Sequence, residues 1–499
     1  MDYIWSPKID KELIAGPFRK LLDNFRGNTG LRGPILKLLS GSGYASLAGY
    51  VGMLVLVRLY PKEAWAINDY VISLVGVLAP VVTLRYEDAL MLAEDKRDAA
   101  HAFLLACLST LVFSIILFFL LPLSFELEFM SRAPEAVRSW IWIVPVVLII
   151  HRVSKISELW LIRLEEFDRV PIGQVAQVST MVVTRIGIGF FSSGPAGLII
   201  GYTIGWVANL FAFGSRVVNS ISDALGEGFS FDRIKYIAVR YRRFPAYTMP
   251  AAMISALGTR LPVLVLAAYF TLETVGEYGM AIKLLFIPLS FIGVAVGQVF
   301  FVRATAAFRI GKLSDISATI HDRMVMMAIM PTLLMIAAGP NLFEFFLGEQ
   351  WRGSGEMIQY LAPWIFFTSV ASPLTRLFDV MERQRLELII NIAIIAVIAT
   401  ALGVGIYLDD VTSTLILVGV SGALIRIVQM VTVLVMAGVD MLSILYPYTR
   451  YGLYASPLAL LVWGISQYYS PFLSTVTAVL AAFCYVALVV VRDEYLKDQ

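Results

Sequence analysis

Charged residues are scarce in this chain. Only 15% of its 499 residues are Asp, Glu, Lys or Arg, whereas 59% are hydrophobic. A soluble protein carries about 25% charged residues, and those present here gather in short clusters between apolar stretches of about 20 residues. Such a stretch spans the hydrocarbon core of a bilayer, where the backbone must form its hydrogen bonds internally, as a helix. The composition therefore excludes a soluble protein and predicts an all-α integral membrane protein.

Residues suited to catalysis or cofactor binding are also few. The two cysteines, Cys107 and Cys484, lie within apolar runs, which favours buried thiols over a disulfide. The three histidines, His101, His151 and His321, lack the spacing of metal ligands. No loop is long enough to form a catalytic domain, and no Gly-rich phosphate loop with its lysine is present. We therefore predict no metal, no cofactor and no enzymatic activity.

Long apolar segments dominate what remains, and we predict fourteen transmembrane helices. The fifth and sixth are separated by the turn at 192–195, which contains Gly and Pro. The last two are separated by an equally short stretch. In either pair, the two predicted helices could instead form one continuous helix, which would lower the count. The predicted spans cover residues 34–58, 65–84, 100–123, 138–160, 172–191, 194–214, 245–269, 279–302, 324–346, 357–377, 386–407, 412–437, 451–468 and 472–491.

The distribution of Lys and Arg predicts the orientation in the membrane. If the N-terminus is cytoplasmic, the inner segments hold most of the 39 basic residues, as the positive-inside rule requires. Both termini are then cytoplasmic, and the expected location is the inner membrane. The net charge of +2 without a basic block predicts no nucleic-acid partner. The outer loops hold only Arg58, Lys62, Arg132, Arg138 and Arg352.

The longest inner connection has the pattern of an amphipathic helix that lies on the membrane surface and binds anionic headgroups. Its apolar face comprises Ile234, Ile237, Ala238 and Tyr241. Its basic face comprises Arg233, Lys235, Arg240, Arg242 and Arg243. The predicted organisation is an amphipathic N-terminal segment (1–33), a first six-helix bundle (34–214), this linker (215–244), a second six-helix bundle (245–437) and two additional helices with a cytoplasmic tail (438–499).

Four basic residues fall inside predicted spans, where a charge is costly and usually faces a cavity or a partner. Arg260 and Arg426 lie deepest, whereas Arg185 and Lys283 lie nearer the outer surface and could equally extend to the headgroups. Pro262 follows Arg260, so we expect an irregular helix there, as in helices that line binding cavities. Arg426 could instead join two helices through polar contacts. Buried cations favour an anionic substrate, because guanidinium and ammonium groups bind phosphate oxygens strongly.

Acidic residues are much rarer at depth. Asp69 lies one turn into the second span, where it could pair with a cation across a cavity. Glu87 and Asp88 follow Arg85 at the cytoplasmic end of the same span. These residues are candidates for ion coupling or gating. The alternative for Asp69, Glu87 and Asp88 is an ordinary solvated helix end.

Three segments carry a resemblance to a known family. They are Leu84-Arg-Tyr-Glu-Asp-Ala89, Val275-Gly-Glu-Tyr-Gly-Met-Ala-Ile-Lys-Leu-Leu285 with its continuation to Arg303, and Phe346-Leu-Gly-Glu-Gln-Trp351. They resemble polysaccharide biosynthesis and export proteins, which are the oligosaccharide flippases of the multidrug/oligosaccharidyl-lipid/polysaccharide (MOP) exporter superfamily. The order of these segments and the layout of the spans agree over nearly the whole chain.

The resemblance implies two six-helix bundles around a central cavity that opens alternately to each side. It would place Arg58, Asp69, Arg260 and Lys283 at or near that cavity. Similar proteins move undecaprenyl-diphosphate-linked glycan units from the inner to the outer leaflet, with membrane lipids and a polysaccharide polymerase or other assembly proteins as partners. Related lipid II flippases use cavity arginines in their first helices, but the first span here has only Lys37 and Arg58, near its ends. The two extra helices would extend a groove for the lipid tail.

The leading hypothesis is therefore a flippase for lipid-linked oligosaccharides in surface polysaccharide synthesis, such as that of lipopolysaccharide or exopolysaccharide. The anionic headgroup would bind Arg260, Lys283, Arg58, Arg185 and Arg426. A drug/cation antiporter of the same superfamily is the alternative, and it requires a buried carboxylate, for which Asp69 is the candidate. A membrane glycosyltransferase or glycan polymerase would need a long outer loop or paired acidic residues, and neither is present.

Overall fold

The structure is a computed structural model that describes residues 47–126, 132, 134–226 and 228–495. For residues 285–299, 302, 306 and 490–495 only the backbone is described. The predicted amphipathic segment 1–33, and with it the start of the first span, lies outside the described residues. The described chain consists of helices joined by short connections, which confirms the predicted all-α class.

Helices of the first half lie between residues 47 and 225, and a short 3-10 turn, Ser124–Glu126, follows the fourth helix. The first half contains α1 (Leu47–Leu59), α2 (Lys62–Thr83), α3 (Tyr86–Leu92), α4 (Lys96–Leu123), α5 (Glu135–Arg138), α6 (Ile143–Arg163), α7 (Arg169–Gly189) and α8 (Pro195–Leu225).

Helices of the second half begin at residue 231, and a π-helical segment, Phe244–Thr248, precedes the first long one. A 3-10 turn, Glu349–Trp351, separates two others. The second half contains α9 (Phe231–Arg240), α10 (Met249–Tyr269), α11 (Leu272–Arg309), α12 (Leu313–Leu347), α13 (Arg352–Leu374), α14 (Arg376–Val380), α15 (Gln384–Leu408), α16 (Val411–Met436), α17 (Met441–Tyr468) and α18 (Pro471–Tyr495).

Each of the fourteen predicted spans overlaps a different helix of the described chain, and thirteen of these helices are longer than 20 residues, the exception being α1. The two uncertain pairs are resolved as separate helices, α7 with α8 and α17 with α18. Pro195 occupies the first position of α8, where its missing N–H costs nothing. By length and composition, eight of the described helices are able to cross a membrane. The total of fourteen membrane crossings stays a prediction.

The long helices pack as two bundles. In the first bundle α2, α4, α6 and α8 contact one another, and α7 packs along α8. In the second bundle α13 lies against α11, α12 and α16, while α15 packs on α16. The bundles meet where α2 contacts α10 and α11, and α17 and α18 lie beside α12. Close approach depends on glycine in places: a Cβ on Gly205 of α8 would lie 2.8 Å from the carbonyl oxygen of Gln177 on α7.

The linker helix α9 differs from the prediction of a helix bound to the membrane surface. Its residues Ile234 and Ile237 are buried in an apolar cluster with α3, α4 and α8. Arg233 donates to Asp98 at 2.6 Å, and Arg240 pairs with Glu94 at 2.7 Å. The apolar face therefore packs on the first bundle, because the adjoining ends of these helices offer both apolar surface and carboxylates.

The helix that carries Arg260 is continuous, so the prediction of an irregular helix at Pro262 is wrong. α10 keeps its helical conformation from Met249 to Tyr269, although Pro262 lies within it. A proline removes one backbone hydrogen bond, which a helix surrounded by others tolerates. The irregular turn is instead the π-helical segment that precedes α10. A sharper kink lies elsewhere, at Ala338 of α12, two residues before Pro340.

Candidate functional site

An ion pair joins the two bundles in the interior of the protein. Asp69 of α2 is only 7% exposed, and both of its carboxylate oxygens accept from Lys283 Nζ of α11 at 2.6 Å. The Lys283 Nζ atom also lies 4.7 Å from the ring centroid of Trp65, one helical turn before Asp69. The pair therefore places a compensated charge between α2 and α11, and Asp69 meets a cation from across the interface as its position predicts.

Gly279 of α11 lies directly against the Asp69 carboxylate. A Cβ at this position would lie 2.2 Å from Asp69 Oδ2, so a side chain there would force the carboxylate or the helix to move. Gly279 precedes Lys283 by four residues, so both lie on the same face of α11. Lys283 keeps 30% of its side chain exposed despite its ion pair. The ammonium group is therefore paired on a side chain that is only partly buried.

Arg185 extends this polar network into α7. It is 6% exposed, its Nε donates to the carbonyl oxygen of Leu198 at 3.0 Å, and its Nη2 donates to Asn68 Oδ1 at 3.4 Å. Asn68 in turn donates to Asp69 Oδ1 at 3.2 Å. Arg185 does not extend to the headgroups; it joins α7 to α8 and α2, and contacts the ion pair through one amide.

Arg260 lies in the interface without a carboxylate partner among the described residues. Its Nε atom lies 3.3 Å from the position that a Cβ on Gly76 of α2 would occupy, so its side chain crosses from α10 to the first bundle. The residue is exposed, and it lies within electrostatic range of Lys283 and Tyr202. Arg260 is thus an accessible cation that faces α2, near the Asp69–Lys283 pair.

Two further predicted cations lie apart from this network. Arg58 is exposed at the end of α1, where its Nη2 donates to the carbonyl oxygen of Phe346 at the end of α12, at 3.0 Å. Arg426 lies in α16 within the second bundle and donates to Gln429 Oε1 at 2.6 Å. The structure therefore brings together Arg260, Lys283, Arg185 and Asp69, and leaves Arg58 and Arg426 elsewhere.

The acidic residues predicted at the inner end of α2 form a second network. Leu84 and Arg85 adopt positive φ angles of 51° and 59°, which break the helix and begin α3. Glu87, 1% exposed, accepts from Arg152 Nη2 of α6 at 2.6 Å, and Asp88 pairs with Arg85 at 2.8 Å. Burial raises the pKa of Asp88, and the neighbouring Arg85 opposes that effect. Glu87 is therefore not a solvated helix end, because it is buried and paired.

Sequence reasoning missed a buried carboxylate in α6. Glu158 is 5% exposed, pairs with Lys155 at 2.7 Å and accepts from Asn209 Nδ2 of α8 at 3.0 Å. Ser154 donates to Asn209 Oδ1 at 2.6 Å and completes the chain of contacts. Glu158 lies two residues from the end of its predicted span, so its position alone does not distinguish it from an exposed helix end.

Sequence reasoning also missed the contacts that join the bundles at the ends predicted to be outer. Lys62 at the start of α2 pairs with Glu273 at 2.7 Å and with Glu277 at 2.6 Å, both on α11. The carbonyl oxygen of Val57 accepts from Gln350 Nε2 at 2.7 Å and from Trp351 Nε1 at 3.0 Å. The sequence feature that could have pointed to Lys62 is that it is one of the few basic residues on the side predicted to be outer.

Exposure along α10 shows where the interface is open. All of its buried residues lie at or after Pro262, in the outer part of the helix. The inner part, from Met249 to Thr259, has no buried residue. The described contacts therefore hold the bundles together at the ends predicted to be outer, and Arg260 lies just before the buried part of α10 begins.

An apolar groove lies between α12 and α18, outside this interface. Its volume is about 530 Å³. Its walls are methionines and small or branched apolar residues, with the Tyr485 hydroxyl donating to the carbonyl oxygen of Met326 at 2.8 Å. Lining residues on the two helices include Met330, Leu334, Ala482 and Val486. Such a surface suits an alkyl or polyprenyl chain.

Solved structures of transporters have the same fold. The lipid II flippase MurJ in an inward closed conformation superposes with a TM-score of 0.72 at 12% identity, covering 92% of this chain and 99% of that one. An inward-facing multidrug resistance MATE family transporter of the MOP superfamily gives a TM-score of 0.54 at 14% identity, covering 83% and 96%. A MOP superfamily transporter from Pyrococcus furiosus, whose binding pocket has a reversed polarity, gives 0.52 at 14%, covering 81% and 94%.

Sequence comparison identifies the family. No curated protein sequence matches the chain. The family model described as "Polysaccharide biosynthesis protein" matches residues 55–356, which include α2, α10 and α11 and so the whole interface network. The chain shares its fold with solved membrane transporters, and its helices have the length and composition of a multi-pass membrane protein. The chain belongs to the polysaccharide biosynthesis protein family.

Proposed function

We propose that this protein is a flippase that moves undecaprenyl-diphosphate-linked oligosaccharide units across the cytoplasmic membrane by alternating access, during synthesis of a surface polysaccharide. The observation that carries the proposal is the accessible Arg260 beside the Asp69–Lys283 pair, at the junction of the two bundles. A diphosphate bears two negative charges, and guanidinium and ammonium groups are its usual partners in proteins.

Exchange of ion-pair partners would couple substrate binding to motion of the bundles. Without substrate, Lys283 is held by Asp69 of the opposite bundle. A diphosphate between Arg260 and Lys283 would replace that carboxylate and weaken the link between α2 and α11. A ligand shifts a conformational equilibrium only by its different affinity for the two states. The lost Asp69–Lys283 ion pair and the new contacts of the diphosphate with Arg260 and Lys283 would supply that difference in affinity.

The lipid part of the substrate has a separate place in this proposal. The groove between α12 and α18 is apolar and would accept the polyprenyl chain while the headgroup occupies the interface. The groove therefore supports a lipid-linked substrate over a free sugar phosphate. Membrane lipids and the enzymes that assemble the glycan, such as a polymerase, would be the partners, and both termini would face the cytoplasm.

The alternative of a drug/cation antiporter receives less support. It requires a carboxylate that is free to bind a cationic drug. Asp69 is instead bound through both oxygens by Lys283, and the exposed charge beside it is the cation Arg260. The polarity of the interface network thus favours an anionic ligand.

Reconstituted transport tests the proposal. The full-length protein is placed in vesicles that contain a fluorescent polyprenyl-diphosphate oligosaccharide, and an impermeant quencher reports how much has changed leaflet. We expect Arg260→Gln and Lys283→Gln each to slow flipping at least tenfold, equivalent to about 1.4 kcal/mol. Arg376→Gln is the matched control, since Arg376 is 60% exposed and pairs weakly with Asp379 at 3.7 Å. It should keep the wild-type rate.

The same assay can contradict the proposal. Flipping by Arg260→Gln and Lys283→Gln at the rate of Arg376→Gln would remove the basis for an anionic headgroup site. Loss of drug export in Asp69→Asn, with no effect of Arg260→Gln, would favour the antiporter. In cells, deletion should cause lipid-linked units to accumulate on the cytoplasmic leaflet, and normal surface polysaccharide would argue against the proposal.

A further inference from the structure

Arg426 is a partly buried cation, with its Nε atom buried, that the proposed flippase mechanism leaves without a role. It lies in α16, fifteen residues after the outer start of that helix at Val411 and ten before its end at Met436. No carboxylate of the described residues pairs with it, and its one hydrogen bond is to Gln429 of the same helix. Glu356 lies near the start of α13, and the acidic residues that flank α16, Asp410 and Asp440, lie outside its two ends. An uncompensated charge at this depth indicates a bound counter-ion.

The packing of α13 against α16 shows which side chains share the level of Arg426. Both helices are predicted to run from the outer to the inner side, so they are parallel. A Cβ on Gly419 would lie 2.0 Å from the carbonyl oxygen of Tyr360, and one on Gly422 would lie 3.0 Å from Trp364 Nε1. One turn further along each helix, about 5.4 Å, this register brings Thr368 opposite Arg426.

The side chains at these two levels have polar atoms that are buried and lack a partner in the described structure. Gln429 is 1% exposed, and its Oε1 accepts from Arg426, which leaves its amide hydrogens as free donors. Ser421, beside Gly422, has an unpartnered hydroxyl as well. The unpartnered atoms are Trp364 Nε1, Thr368 Oγ1, Ser421 Oγ, Arg426 Nε and Gln429 Nε2.

These groups share one chemical property. An indole N–H, a guanidinium N–H and an amide NH₂ can only donate, and hydroxyl groups can donate. Buried donors are normally satisfied, so a set of them around one cation requires an acceptor. A water molecule would accept two hydrogen bonds but leave the charge of Arg426 uncompensated. A small anion satisfies both the donors and the charge.

We propose that α13 and α16 enclose a binding site for a small monovalent anion of the chloride class, held by Arg426, Gln429, Trp364 and Thr368. The site lies within the second bundle and is separate from the interface network of Asp69, Lys283 and Arg260. Arg426 therefore binds an inorganic counter-ion rather than the headgroup of the transported lipid. The anion stabilises the contact between α13 and α16, because without it their shared surface holds one unpaired charge.

Chloride-dependent stability tests this site. Thermal unfolding of the purified full-length protein is measured in sodium chloride and in sodium gluconate at constant ionic strength, because gluconate is too large for an interhelical site. We expect chloride to raise the unfolding temperature in a saturable manner for the wild type and for the control Arg376→Gln. Arg426→Gln should lose this response and, in gluconate, should be at least as stable as the wild type.

Direct binding provides a second measurement that does not depend on the stability of one variant. Radiolabelled chloride should bind the wild type and be displaced by bromide. Thr368→Val, which removes one donor and no charge, should raise the half-saturating chloride concentration at least threefold. Equal chloride responses in the wild type, Arg426→Gln and Thr368→Val would overturn the proposal. A response to inorganic phosphate but not to halide would also overturn it, because the site would then take a phosphoryl group.

Discussion

Whether a charged side chain inside this membrane protein is compensated depends on one or a few neighbouring groups. Lys283 is compensated by Asp69, and Arg185 by carbonyl and amide oxygens. Arg260 and Arg426 have no carboxylate partner among the described residues, and only Arg260 is exposed. Charges in a low-dielectric region persist only where a partner, water or a ligand compensates them. The two unpaired cations are therefore the residues where ligands are expected.

Gly279 is the position where a single methyl group tests the ion pair. In Gly279→Ala the new Cβ would lie 2.2 Å from Asp69 Oδ2, so α2 and α11 must separate or Asp69 must move away from Lys283. We expect a loss of about 1–3 kcal/mol in stability, the usual cost of overpacking. Thermal unfolding of the purified protein in detergent measures this loss as a lower midpoint.

A second glycine provides the control for that change. In Gly403→Ala on α15 the added Cβ meets no heavy atom within 4 Å, so only the helix propensity changes. Alanine is the better helix former by about 1 kcal/mol at most. We therefore expect Gly403→Ala to unfold at the wild-type temperature or at a higher one. If Gly279→Ala unfolds at the same temperature as Gly403→Ala, Asp69 does not lie against α11 in the native protein.

At the level of residues, the sequence shows which charges are buried but not how each is compensated. Asp69 is the lone acidic residue deep in its span, so pairing with a cation was predictable. The choice of Lys283 as its partner depends on Gly279 and on how two distant helices meet, which no local pattern encodes. From its position in the helix, Arg185 could equally extend its side chain to the lipid headgroups. Only its contact with the carbonyl oxygen of Leu198 shows that the side chain is bound inside the protein.

Whole helices were predictable where hydrophobic length alone decides. Every predicted span overlaps a helix, because a segment of about 20 apolar residues has few alternatives in a bilayer. Helix α9 was harder. Its apolar face suits a lipid surface and a protein surface equally, and the choice depends on the acceptors Asp98 and Glu94, which lie more than a hundred residues earlier in the chain.

The starts of α2 and α11, predicted to be the outer ends, are held together by Lys62, which pairs with Glu273 and Glu277. Lys62→Gln removes both ion pairs and leaves the backbone contacts of Val57, so we expect the outer ends to separate more often. Pulsed EPR between spin labels at Ser193 and Asp409, both exposed on outer turns, should show an added population at longer distance. Cys107 and Cys484 are first replaced by Ser.

Lys155→Gln is the matched control for this motion. The ion pair of Lys155 with Glu158 lies within α6 and does not join the bundles. The variant loses a charge and an ion pair, yet its distance distribution should remain that of the wild type. If Lys62→Gln and Lys155→Gln give the same distribution, the Lys62 ion pairs do not hold the outer side closed.

For the whole molecule, the proposed headgroup and tail sites are on different surfaces. Arg260 and Lys283 lie between the bundles, whereas the groove lies between α12 and α18 at the periphery of the second bundle. Lipid tails are as apolar as the groove, so the groove gains little energy from the hydrophobic effect. In the proposed mechanism, the groove instead keeps the polyprenyl chain of the substrate at one position on the protein while the headgroup moves.

Filling the groove should therefore slow transport of long-chain substrates only. Val486 lines the groove and is 56% exposed, so Val486→Trp can occupy it without overpacking the core. We expect flipping of a substrate with a full polyprenyl chain to fall by up to tenfold, about 1.4 kcal/mol in the barrier. A short-chain analogue should keep its rate, because its tail does not extend into the groove. Both rates come from the same quenching assay in vesicles.

Leu488→Trp separates this effect from a general effect of an added indole. Leu488 is on the same helix and is 46% exposed, but it does not line the groove. It should leave both rates unchanged. Equal slowing of long and short substrates by Val486→Trp would mean that the substitution acts on the bundle movement rather than on the tail. Unchanged rates for both would mean that the polyprenyl chain stays in the bilayer throughout, and that the groove has another occupant.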